Sequence, residues 1–203
     1  LNASDIEKVQ IYKNITEITL QHRNMPITAH YFTMQAKLEN SEKSLNLAGR
    51  FNLDLLHAAH SPVIQGWAAQ NAISCFEQSL KLNPESDTIK MALASCYIDG
   101  TSQPMQGIQL LLGIVREQPD NVPANLMLGQ LSIRSGQMDK AKERFEKVIA
   151  IEPENTEALY FLAEVYRSKG NKEKAIELLE RCKKIINKPE FDKEIDNYIK
   201  SFK

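Results

Sequence analysis

Apolar residues recur along this chain at intervals of three and four, the spacing that gathers them on one face of a helix. In SDIEKVQIYKNITEITLQHR (4–23) the stripe is Ile6, Val9, Tyr12, Ile15 and Leu20, and Ser4 with Glu7 three places on predicts a capping box at its start. Pro26 suits the first turn of a second helix running to about Glu39. From Ser41 onward the pattern is helix, turn, helix. At the far end, EFDKEIDNYIKSF (190–202) sets Phe191, Ile195, Tyr198, Ile199 and Phe202 against charged residues and predicts a last amphipathic helix.

The pattern also repeats. GQMDKAKERFEKVIAIEPEN (136–155) and GNKEKAIELLERCKKIINKP (170–189) share a layout: Gly136 matches Gly170, Lys140 matches Lys174, Ala141 matches Ala175, Glu146 matches Glu180 and Ile151 matches Ile185. Pro84, Pro119, Pro153 and Pro189 each follow an apolar helix end, roughly 34 residues apart. Proline cannot continue a helix and biases the residue before it away from helical geometry, so these stops divide the chain into equal units. Units of this length, each unable to bury its apolar face alone, stack into solenoids.

The units resemble tetratricopeptide repeats, which pair a Leu and a small residue with an aromatic in the first helix, and place small residues and a closing Pro in the second. Leu128, Gly129, Gly136, Ala141, Phe145 and Pro153 match in one unit, and Leu162, Ala163, Tyr166, Gly170 and Ala175 match in the next. Leu93, Ala94 and Tyr97, then Gly107 and Pro119, match in an earlier one. Leu47, Ala48 and Phe51 with Ala72, Phe76, Ser79 and Pro84 match in a fourth, if an insertion around HAAHSPVIQGWAA is allowed. Ser132 and Cys182 depart from the pattern. The resemblance implies an all-α fold, an α-solenoid of helical hairpins in a right-handed superhelix. It divides the chain into an N-terminal helical segment (1–40), repeats over 41–189 (41–86, irregular, then 87–121, 122–155 and 156–189) and a cap helix (190–203).

Composition adds exclusions. The chain has 203 residues, 25% of them charged, and a formal net charge of −1. Its lysines are interleaved with acids, so nothing suggests a nucleic-acid partner or an anionic surface. Cys75, Cys96 and Cys182 lack metal-ligand spacing and read as buried free thiols. The run IQLLLGIV (108–115) is far too short for a membrane span. The chain starts at Leu1 and looks like bacterial repeat proteins held to the membrane by a short upstream anchor, so an exported or anchored location and a cytoplasmic one both stay open. No cofactor is expected. His57 and His60 lie three apart with Asp54 nearby, yet no third ligand is legible, and no phosphate loop, nucleophile elbow or HExxH helix occurs. The expectation is a non-enzymatic protein.

In the resembled family the first helices of successive repeats line a concave groove. Carried onto this chain, the groove residues are Met91, Ser95 and Ile98, then Leu126, Gln130, Ile133 and Arg134, then Tyr160, Glu164 and Arg167. Capture of a carboxylate tail needs cationic or amide donors; Met91, Leu126 and Tyr160, with Glu164, supply none. The expected partner is therefore an amphipathic helix or an apolar extended peptide, the alternatives being that these positions only pack or that the chain self-associates. Trp67, the sole tryptophan, is expected to be buried in the irregular repeat rather than exposed as an anchor.

Overall fold

The computed structural model describes residues 3–202, all of whose regular elements are helices: α1 (Ala3–Gln21), α2 (Met25–Glu39), α3 (Glu42–Ala58), α4 (Pro62–Leu82), α5 (Asp87–Gly100), α6 (Pro104–Glu117), α7 (Val122–Arg134), α8 (Met138–Ile151), α9 (Thr156–Ser168), α10 (Lys172–Ile186) and α11 (Pro189–Lys200). The chain divides into two compact units, one through Leu111 and one from Leu112, with the boundary inside α6. Pro84, Pro119 and Pro153 lie outside the helices, just beyond the ends of α4, α6 and α8, whereas Pro189 opens α11.

In the first unit α1 pairs with α2 and α3 with α4, while α2 packs on α3 and α4 on α5. The α1–α2 hairpin turns through His22, Arg23 and Asn24. The Arg23 amide donates to the Leu20 carbonyl and the Asn24 amide to the Thr19 carbonyl. In the second unit Gly136 and Gln137 make the same two bonds to Ile133 and Ser132, and Gly170 and Asn171 make them to Arg167 and Tyr166. Arg23 takes φ 54, where the glycines take φ 73 and 79. The first hairpin is therefore turned like the later ones, with an arginine held in the left-handed region that glycine fills elsewhere. Ser4 lies inside the first turn of α1, since that helix already begins at Ala3.

The insertion in the irregular repeat is absorbed as helix. The α3 and α4 helices are 17 and 21 residues long, against 14 each for α5 and α6. The close crossing fixes the register. A Cβ on Gly49 would lie 2.5 Å from the Phe76 ring, just as one on Gly129 would lie 2.6 Å from the Phe145 ring. Gly49 thus holds the place of Gly129, one residue beyond the sequence alignment, and Leu47 points outward at 50% exposure.

Three apolar clusters fill this unit, around Leu55, Leu56, Ala68 and Ala69, around Phe76, Ile89, Leu93 and Cys96, and around Ala36, Leu45, Ala48 and Cys75. The second unit has one continuous core through Phe145, Val148, Leu159, Leu162, Val165 and Leu179, closed at its C-terminal end by Ile195 and Phe202.

Candidate functional site

The residues expected to line a groove fall on α5 in the first unit and on α7 and α9 in the second. On α5, Met91, Ser95 and Ile98 are half-buried. Ile98 is drawn toward its own hairpin: α6 approaches so closely at Gly107 that a Cβ there would lie 2.4 Å from the Ala94 carbonyl oxygen and 2.8 Å from Ile98 Cγ1. Below it, Asp99 reaches His57 Nε2 at 3.5 Å and links α5 to α3.

In the second unit the expected residues divide by depth. Leu126 is 9% exposed and belongs to the core, with Ile133 and Tyr160 packed partly against it. Above them Gln130 Nε2 donates to Glu157 Oε1 across 2.7 Å, joining α7 to α9, and Arg134 is exposed at the end of α7. The face of α9 is met by the final helix. Tyr160 stacks on Tyr198 at 6.3 Å between ring centroids, and the Arg167 guanidinium lies 5.6 Å from the Tyr198 centroid and 5.9 Å from that of Phe202. Arg167 also pairs with Glu164 at 3.1 Å. Burial, then the nearby Glu164 charge, pushes the Tyr160 hydroxyl above the usual tyrosine range. So Tyr160, Glu164 and Arg167 do come together, but around side chains of α11 and its trailing turn.

Sequence reasoning missed a recess in the first unit. Pro26, Ile27, His30 and Tyr31 of α2 and Val63, Ile64 and Trp67 of α4 line an open depression of about 400 Å³ with almost wholly apolar walls. Trp67 is half-buried rather than buried: one side packs on the Leu55–Leu56 cluster, and the other forms the recess wall. The extra turns of α4 place it there. The legible signal was the helical spacing of Val63 with Trp67 and of Ile27 with His30 and Tyr31, all apolar or aromatic on a segment that the repeat pattern does not require. Among the described residues no group of three or more His, Cys, Asp or Glu side chains is placed to hold a metal ion. Likewise no helix there is long and apolar enough to cross a membrane.

Helical hairpins with small-residue crossings and matching turns define a helical-repeat protein. Residues 133–192 match the family model for the tetratricopeptide repeat. That segment carries tetratricopeptide-repeat sequence. It is 31% identical over 128 residues to cellulose synthase 1 operon protein C of Komagataeibacter xylinus, covering 58% of this chain and 10% of that protein. It is 26% identical over 162 residues to the human antiviral innate immune response effector IFIT1, covering 72% of this chain and 33% of that protein. The chain thus spans a third or less of the length of these relatives. Among solved structures, MamA from Desulfovibrio magneticus superposes with a TM-score of 0.62 at 20% identity, over 89% of this chain and 96% of that one. YrrB, described as a TPR protein with an unusual peptide-binding site, superposes with a TM-score of 0.56 at 19% identity, over 92% and 90%. These likenesses establish the all-α tetratricopeptide fold.

Proposed function

We propose that this protein is an interaction scaffold that captures a helix or extended peptide of another protein on the first-helix faces of its repeats. The observation that carries this reading is the α7–α9 face. Its apolar floor is Ile133 and Tyr160, half-buried over the core residue Leu126, and its polar rim is the Gln130–Glu157 pair with Arg134 beside it. An apolar floor supplies burial, and a polar rim fixes register. Glu164 and Arg167 set the far limit of that surface, where Tyr198 and Phe202 already stand over α9. On α5, Met91, Ser95 and Ile98 offer the corresponding mixture in the first unit. The fold shared with YrrB supports a peptide ligand for this chain too.

Leu126 is a core residue, so a polar substitution there would test folding rather than binding. The informative variant is Ile133→Asp with Arg134→Glu. With the chain as bait in extracts of its native cell, the partner captured by the wild type should be lost or reduced at least about tenfold, roughly 1.4 kcal/mol, while helical circular dichroism is unchanged. Undiminished capture would remove the α7–α9 face from consideration. A second reading places an apolar side chain of the partner in the Trp67 recess; the 80% exposure of Val63 at its rim favours it. Under that reading Trp67→Ala, not the α7 double variant, abolishes capture.

A further inference from the structure

Charge is unevenly spread along this chain. Its 26 Asp and Glu leave two long gaps, 18–38 and 55–76, and those gaps hold all four histidines, His22, His30, His57 and His60, together with Arg23 and Lys37. The fold brings the two gaps together, because one supplies nearly all of α2 and the other most of α4, the two walls of the Trp67 depression. No carboxylate lines it. The only acids on these helices, Glu39 and Glu77, lie about 20 Å along the axes from Pro26 and Val63.

What surrounds the depression is positive. It lies at the first turns of both helices, where Pro26 and Ile27 open α2 and Val63 and Ile64 open α4, so two helix dipoles present their positive ends there. Ser61 gives α4 no side-chain cap. Arg23 precedes α2 and His60 precedes α4; both are exposed, and neither has an ion-pair partner among the described residues, whereas His57 is already paired with Asp99. Both walls have their flanking helices in place, α1 and α3 beside α2, and α3 and α5 beside α4. The depression is therefore a hollow within the first unit and not the open end of a stack.

We propose that this depression docks a short acidic segment of a partner protein, which inserts a large apolar side chain against Trp67 and sets its carboxylates toward Arg23, His60 and the two helix N-termini. This rests on the reading in which a partner side chain enters the depression, and adds the charge that flanks that side chain. A cationic segment would meet no carboxylate on these walls, and an uncharged one would leave Arg23 unused, so complementarity favours acid. Shape favours a protein over an anionic bilayer, since a hollow receives a protruding side chain and a flat lipid surface does not enter it.

Trp67 is the sole tryptophan, so its fluorescence reads occupancy of the depression directly. Two tryptophan-free peptides are titrated into the full chain, each with a central Phe-Leu pair, flanked by glutamates in one and by lysines in the other. The glutamate peptide should shift the emission and bind at least about tenfold more tightly than the lysine peptide, a preference that added salt erases. Arg23→Glu with His60→Glu should reverse the order; the change at Arg23 keeps a non-glycine side chain in the same left-handed conformation, so the turn is not the variable. Equal binding of the two peptides, or an order unchanged in the double variant, overturns the acidic occupant while leaving a docking depression. Emission that neither peptide alters overturns both readings. A shift produced by phosphatidylglycerol vesicles and not by the glutamate peptide makes this a lipid surface and overturns the protein partner.

Discussion

Single residues in this protein are selected chiefly by how near two helices come. Gly129 and Gly49 face phenylalanine rings at distances that no Cβ tolerates, so Gly129→Ala is expected to destabilise by about 1–3 kcal/mol through overpacking. Urea denaturation would measure it, and combining the change with Phe145→Leu should return part of the loss. Asn125 is fully buried yet satisfied: its Nδ2 donates to the carbonyls of Asn121 and Pro119, and its Oδ1 accepts from Arg144. Truncation to Ala strands those partners and should cost about 1–3 kcal/mol, again read by denaturation.

The cysteines show the same burial electrostatically. Burial pushes Cys96 up to about 12, with Asp99 adding to it, and Cys182 up to about 11; Cys75 is raised by burial too. The fold holds each thiol protonated. Their contribution to stability is therefore complete below the ordinary thiol value near 9 and is lost as pH rises through about 11 to 12. At neutral to mildly alkaline pH all three should resist a thiol reagent until the chain is unfolded, and a fast-reacting thiol in the native protein would contradict this.

At the scale of elements, turns and crossings decide more than helix propensity does. Three hairpins turn through the same hydrogen-bond pattern, two at glycine and one at Arg23. A non-glycine residue there carries strain, so Arg23→Gly should stabilise by up to about 1 kcal/mol and raise the melting temperature, while Gly170→Ala should cost about as much. A second recurring device ties hairpins together: the Tyr97 hydroxyl donates to Glu77 and the Tyr166 hydroxyl to Glu146, each pair spanning the same sequence interval. The register of the irregular repeat was misread by one residue because Leu47–Ala48 looks like a Leu–small pair. Which of Ala48 and Gly49 crosses the Phe76 ring is settled only by the contact. The insertion was legible as extra length, but not as two lengthened helices.

At the scale of each unit, the C-terminal helix is what the second core lacks without it. Ile195 and Phe202 are buried in that core, and Tyr198 stacks on Tyr160. Removing residues 190–203 should cost several kcal/mol, at roughly 1.5–3 kcal/mol for each large buried apolar side chain, and should raise binding of a hydrophobic dye. A repeat fixes which positions share a helix face. What it did not reveal was occupancy: whether Leu126 sinks into the core, Ile98 leans on Gly107, or Arg167 lies over Tyr198.

The sequence by itself determined that this chain is all-α, repeats a helical hairpin and carries its small residues where helices cross, because periodicity and close packing are local or fixed by the repeat. It also revealed the absence of carboxylate-capturing residues at Met91, Leu126 and Tyr160. The tertiary structure alone decided that the first hairpin turns like the others and that Trp67 walls a recess. Burial is a property of neighbours, and which neighbour covers a given stripe is not written in the stripe.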